Sequence, residues 1–97
     1  MKEITATELK QYKETGKDFQ LIDVREPYEY ELANLGGELI PLGTILQNTD
    51  RIDKHRDVVI HCKAGGRSAT AILELEKRFG FKNLYNLKGG ILAYQQL

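Results

Sequence analysis

Apolar and polar positions alternate along this chain in two different rhythms. The stretches "FQLIDV" (Phe19 to Val24), "DVVIHC" (Asp57 to Cys62) and "NLYNL" (Asn83 to Leu87) are short, mostly apolar and rich in β-favouring residues. Such runs predict buried strands. A further short strand is expected at Glu38 to Ile40, after the glycine-punctuated turn in "LGGELIPLG". Between these runs the period becomes helical. In "RSATAILELEKRFG", Ile72, Leu75 and Phe79 recur at i, i+3 and i+7 with Ala71 beside them, and Gly80 supplies the stop. In "ITATELKQYKETG", Thr5 stands three residues before Glu8, the spacing of a capping box. Leu9 and Tyr12 share one face there, and Gly16 ends the helix. Pro27 fits a first helical turn, so "PYEYELAN" reads as a short helix. "GTILQNTDRI" is a short amphipathic segment. The turn at Gly89-Gly90 leads into a final helix, "ILAYQQL".

Strands that alternate with helices and are apolar on both faces belong to a mainly parallel sheet covered by helices, an α/β fold. Ligands of such sheets bind outside the carboxyl ends of the strands. Asp23, Arg25 and Cys62 all lie at strand carboxyl ends, so the pattern alone places them on one edge of the domain.

Ninety-seven residues suit one small domain, residues 1–97. With 41% hydrophobic and 29% charged residues the chain reads as globular. Lys+Arg and Asp+Glu balance at 14 each, so no strong field recruits nucleic acid or an anionic membrane, and neither is expected as a partner. No apolar run approaches the ~20 residues of a membrane span, and "MKEITATELKQ" lacks a secretory apolar region. One cysteine excludes an internal disulfide framework and fits a reducing compartment, so the cytoplasm is the expected location. One Cys with His55 and His61 does not make a closed zinc site, and no metal is expected.

The chemistry concentrates in "VVIHCKAGGRSA". Only the thiolate of a cysteine is a nucleophile, and three features after Cys62 favour it. Lys63 and Arg67 bring positive charge. The loop runs into a helix whose first amides are unpaired and whose dipole is positive there. Gly65 and Gly66 permit a nest of inward-facing N–H groups. Most lone cysteines are inert core residues, but a strand-to-helix turn at the ligand edge argues for a reactive one. Arg67 is balanced between contact with an anion and an ordinary first-turn role, and Lys63 between contact and a solvated side chain. His61, one residue before Cys62 on a strand, points to the opposite face and reads as structural rather than as a base. His55 reads as a surface residue. Asp23 is read either as holding loop amides or Arg67, or as a strand-end cap. Arg25 has Glu29 four residues on, which suits an ion pair fixing the turn.

"LIDVREPYEY", "VVIHCKAGGRSA" and "LYNLKGGILAY", in that order, resemble the rhodanese-like sulfurtransferase domains over nearly the whole chain, Ile4 to Tyr94. The middle segment "YEYELANLGGELIPLGTI" is similar to the sulfurtransferase domain that follows ubiquitin-activating-like adenylyltransferases. No adenylation domain is present, so the chain is a stand-alone relative or an excised piece. The resemblance implies a five-stranded, mainly parallel sheet flanked by helices on both faces. It implies Cys62 as the nucleophile that takes sulfur from a donor such as thiosulfate, holds it as a persulfide without any other cofactor, and passes it to a thiol, cyanide or a carrier-protein acceptor. Lys63, Ala64, Gly65, Gly66 and Arg67 match the family's anion-binding loop, and Asp23 and Arg25 its strand-end pair. Two departures stand out. Where many members carry Gly-His-Ile, this chain reads "NLGGEL", and Tyr94 stands where Trp is common.

Other functions compete. Cysteine phosphatases and arsenate reductases have a similar "HCxAGxxRS" signature with five residues between Cys and Arg. Here four separate Cys62 from Arg67, a smaller ring of amides that suits a single sulfur better than a phosphoryl group. A sulfur carrier or protein-docking module that does not turn over remains an alternative, since fold does not settle function.

Overall fold

The computed structural model describes residues 1–97. Five strands, β1 (Lys2–Ile4), β2 (Phe19–Asp23), β3 (Glu38–Leu39), β4 (Asp57–His61) and β5 (Leu84–Leu87), form one sheet in the order β1-β5-β4-β2-β3. Every pairing is parallel. Helices α1 (Ala6–Glu14), α2 (Pro27–Leu32) and α3 (Gly66–Phe79) and two 3₁₀ turns (Ile45–Gln47 and Thr49–Arg51) make the connections, and α4 (Gly90–Gln95) follows β5.

The two-residue period of the strands sorts the core into two layers. Val58, Ile60 and Cys62 point to the side covered by Ala71, Ile72 and Leu75 of α3, with Ile22, Val24, Ile45 and Leu84 in the same cluster. Val59 points the other way and packs with Ile4, Leu9 and Leu87, closed over by Tyr12 of α1 and Tyr94 of α4. This two-sided cover explains why the centre of β4, Val58-Val59-Ile60, is apolar on both faces.

The helix ends follow local chemistry. Thr5 Oγ1 accepts the Glu8 N–H at 3.1 Å, and Glu8 Oε1 accepts the Thr5 N–H at 2.9 Å, a reciprocal box. Gly16 leaves α1 at φ +68° and Gly80 leaves α3 at φ +71°, the left-handed conformation that glycine adopts most freely.

The strand runs expected from the pattern are all present, each trimmed by one residue at one end. Two features differ. β1 was not expected as a strand: three residues with only Ile4 buried carry no periodic signal, and its identity comes from pairing with β5. Phe79, expected in the apolar stripe of α3, is 46% exposed. It sits in the last turn, and Phe81, just beyond Gly80, is the aromatic that joins the core.

The connection after β2 leads outward to β3, whereas the one after β4 leads to β5 on the other side. The strand order therefore reverses between β2 and β4, where the crevice of an open α/β sheet forms. The register sets Asp23 beside His61 at that point, and Cys62 follows as the next residue.

Candidate active site

The loop after β4 turns around the sulfur of Cys62. Gly65 takes φ +111°, and its N–H donates to Cys62 Sγ at 3.1 Å. Ser68, fully buried in the first turn of α3, places its hydroxyl 3.4 Å from the same sulfur. Burial pushes the Cys62 thiol up. The Ser68 hydroxyl and the amides of Ser68, Gly65 and Ala64 act against it, and the balance lies below the ordinary thiol value. Cys62 is 1% exposed and belongs to the α3-side core. The strand end is thus better packed than its edge position implied, because Cys62 continues the inward face of β4.

The loop is fastened from α4. Ile91 N–H donates to the Cys62 carbonyl at 3.0 Å, and Leu92 N–H to the Lys63 carbonyl at 3.1 Å. Gly89 and Gly90 both have positive φ, and a Cβ on Gly90 would stand 2.3 Å from the Lys63 carbonyl oxygen. The Gly89-Gly90 turn, expected only to reverse the chain, lets the start of α4 lie directly on the loop backbone.

The charged residues of the edge divide into two pairs. Asp23 is fully buried and Arg25 nearly so. The Arg25 guanidinium meets Asp23 Oδ1 at 3.0 Å and Oδ2 at 2.8 Å, and the Arg25 backbone N–H also donates to Oδ1. Arg25 Nη2 donates as well to the Ala33 carbonyl beyond α2. Glu29 does not pair with Arg25. Arg25 precedes α2, so helical i, i+4 spacing does not act between the two. Glu29 instead takes Arg67 in a two-pronged bridge at 2.6 and 2.9 Å. The Arg67 guanidinium holds the Glu29 carboxyl down at about 2. Asp23 accordingly holds neither the loop amides nor Arg67, and Arg67 reaches α2 rather than the sulfur. Lys63 is exposed.

His61 lies across the sheet from the sulfur, as its strand position requires. Its Nδ1 is 3.3 Å from the Cys62 carbonyl, and its buried Nε2 has no hydrogen-bond partner, the nearest carboxylate oxygen being Asp23 Oδ2 at 3.6 Å. Burial holds the imidazole below its ordinary value against the opposing pull of Asp23. His55 is on the surface.

Two polar residues at the site escaped the reading of the sequence. Ser68 stands directly after Arg67 and is consumed by the helical pattern. Asn86 interrupts the apolar run of β5, is 4% exposed, and its amide reaches both Ser68 and the Gly65 carbonyl. A lone amide in a strand buried on both faces was the available signal. Beside the loop, a cleft of about 260 Å³ is bordered by Tyr28, Glu29, Leu32, Lys63, Ile91 and Leu92. No three His, Cys, Asp or Glu side chains gather in a metal-holding arrangement. No helix is long and apolar enough to cross a membrane.

A parallel α/β sheet whose strand β4 leads, at the point of reversed order, into a cysteine held by a loop amide and a helix-start hydroxyl defines a domain with one buried sulfur at its ligand edge. The model of the rhodanese-like domain matches residues 5–97, and the chain belongs to that family. It is 36% identical over 94 residues to the probable adenylyltransferase/sulfurtransferase MoeZ of Mycobacterium tuberculosis, covering 94% of this chain but 24% of that protein. It is 36% identical to a sulfurtransferase of Allochromatium vinosum, covering 95% of this chain and 86% of the relative. Among solved structures, a rhodanese-like domain protein from Staphylococcus aureus superposes with a TM-score of 0.87 at 34% identity, over 97% of this chain and 91% of that one. The chain thus spans about a quarter of the first of these relatives and most of the other two.

Proposed function

We propose that the chain is a sulfurtransferase that carries sulfane sulfur on Cys62. The observation that supports this best is the convergence of the Gly65 N–H and the Ser68 hydroxyl on one sulfur, inside a loop with four residues between Cys62 and Arg67. The Cys62 thiolate attacks the outer sulfur of thiosulfate or a similar donor. The new S–S bond forms as the donor's S–S bond breaks, and sulfite leaves with the bonding electron pair. The persulfide retains one negative charge, which the loop amides stabilise. An acceptor nucleophile, such as a thiol or cyanide, then takes the outer sulfur and returns Cys62 as thiolate, a covalent two-step exchange. Donor and acceptor balance this exchange and Cys62 is returned unchanged, so the reading requires no metal or organic cofactor.

Transfer to a protein acceptor without rapid turnover on small molecules is the second reading. It draws support from the 32% identity to a putative sulfur carrier protein, YrkF, of Bacillus subtilis, of which the chain covers 48%. A phosphatase or arsenate reductase ranks below both, because the loop is one residue shorter than those chemistries use. Incubation with thiosulfate followed by intact-mass measurement tests the proposal. Wild-type protein gains one sulfur atom and Cys62→Ser gains none. Thiocyanate production from cyanide then separates a turnover enzyme from a carrier.

A further inference from the structure

The Ser68 hydroxyl has one hydrogen and three acceptors around it. Asn86 Oδ1 lies at 2.5 Å, the Gly65 carbonyl at 3.2 Å and Cys62 Sγ at 3.4 Å. The Asn86 amide is fixed in orientation, because its Nδ2 donates to the Gly65 carbonyl at 3.2 Å, an oxygen that only accepts. Its Oδ1 therefore faces Ser68. Both side chains are buried, and no other hydrogen-bond donor to Asn86 Oδ1 is present.

We infer that the Ser68 hydroxyl is a two-position donor shared between Asn86 and Cys62, and that Asn86 is a positioning residue that sets how readily Cys62 ionises. While Cys62 is a thiol, the hydroxyl rests on Asn86 Oδ1, its nearest acceptor. When Cys62 becomes a thiolate, the O–H turns to Sγ, and Asn86 Oδ1 is left without a donor. No proton changes carrier at Ser68; only the direction of its O–H changes. Ionisation therefore costs the Ser68–Asn86 hydrogen bond, and Asn86 restrains a thiolate that Ser68 promotes. In the persulfide the charge sits on the outer sulfur, so the hydroxyl returns to Asn86. It turns to Sγ again as the acceptor removes that sulfur and the thiolate leaves.

The other charged and titratable groups near Cys62 are already engaged or solvated. Arg67 of α3 is bound by Glu29 of α2, Asp23 and Arg25 bind one another after β2, and His61 of β4 lies on the opposite sheet face with its Nδ1 at the Cys62 carbonyl. Lys63 is exposed on the loop. From α4, Ile91 N–H holds the Cys62 carbonyl. Ser68 is thus the neutral side chain that bears directly on the sulfur, and Asn86 acts on it through Ser68.

The inference rests on Cys62 being the reacting sulfur, but its test reads ionisation alone and so stands apart from sulfur transfer. The rate of iodoacetamide alkylation is followed against pH for wild type, Ser68→Ala, Asn86→Leu and the double variant, with thermal unfolding confirming that each is folded. Ser68→Ala is expected to move the inflection up by about one unit. Asn86→Leu frees the hydroxyl. Its effect with Ser68 present is expected to lie lower, by about half a unit or more, than its effect in the Ser68→Ala background. Any general loosening of the loop is common to both backgrounds and cancels. Equal effects in the two backgrounds, or a difference of opposite sign, would overturn the inference. If Asn86→Leu does not fold, Asn86→Asp replaces it. That variant keeps the shape and tightens the grip on the hydroxyl, so its upward shift must be larger with Ser68 than without it, and equal shifts would again overturn the inference.

Discussion

Glu29 and Arg67, 38 residues apart in the chain, join α2 to the first turn of α3 through two hydrogen bonds of 2.6 and 2.9 Å. The same Glu29 Oε1 accepts the Glu26 N–H at 3.1 Å, closing the start of α2. One carboxylate therefore fixes a helix end and the cation that follows the sulfur loop.

Glu29 is held at about 2 rather than at the ordinary 4.5. A depressed carboxyl value means that its stabilising contribution is complete above about pH 4.5 and is lost as pH falls through about 2. Because Arg67 is 37% exposed, solvent screening keeps the contribution to about 1 kcal/mol. Urea unfolding of wild type and Glu29→Gln is expected to differ by that amount at neutral pH and to converge in acid. A difference that persists at the lowest pH would show that the ion pair is not its source.

The proposed function extends the part played by Arg67 from bracing α2 to use of the donor. Under the proposed sulfur transfer, Arg67→Ala weakens thiosulfate use several-fold through KM while the thermal unfolding temperature falls only modestly, as expected for a partly exposed pair. Arg67→Lys restores little, because a point-like ammonium does not reproduce the two-pronged bridge to Glu29. Thiosulfate kinetics unchanged in Arg67→Ala would leave Arg67 a purely structural brace.

Gly90→Ala tests the fastening of the loop by α4. The new methyl would meet backbone at 2.3 Å and sit on a residue with φ +62°. Overpacking and the left-handed backbone together are expected to cost on the order of 2–4 kcal/mol. Gly16→Ala is the control. It has a similar φ of +68° and open space around it, so only the backbone penalty of about 1 kcal/mol applies. Equal losses in denaturant unfolding of the two variants would mean that the close approach at Gly90 carries no weight.

His61 contributes a second pH dependence. Its contact with the Cys62 carbonyl requires the hydrogen on Nδ1, which leaves Nε2 as a bare, buried acceptor. Burial lowers the imidazole below the ordinary 6.5. The stabilising contribution of the neutral ring is therefore complete above pH 6.5 and declines as pH falls from there through the native value. In an NMR titration the ring is expected to stay neutral at a pH where a free imidazole has already charged. A midpoint above 6.5 would show instead that the Asp23 carboxylate outweighs burial.

The architecture and the loop were legible because their signals are local. Apolar runs of strand length and the capping box at Thr5 and Glu8 depend on neighbours in sequence, and Cys62 to Arg67 is one continuous stretch. What escaped depends on partners far along the chain. β1 is a strand only because β5 lies beside it. Glu29 has Arg25 at a plausible spacing, but the fold delivers Arg67 from 38 residues away. Asn86 gains its meaning from Ser68 and Gly65, which meet it only after β5 inserts between β1 and β4. The role of Gly90 likewise appears only when α4 is laid on the loop.

The most direct measurement of the central claim is the mass of the intact protein after exposure to a panel of sulfane donors, with thiosulfate first. Sulfur transfer through Cys62 predicts an added mass of one sulfur atom that disappears on treatment with cyanide or a thiol and never forms in Cys62→Ser. No adduct with any donor, or an adduct of the same size in Cys62→Ser, would contradict it.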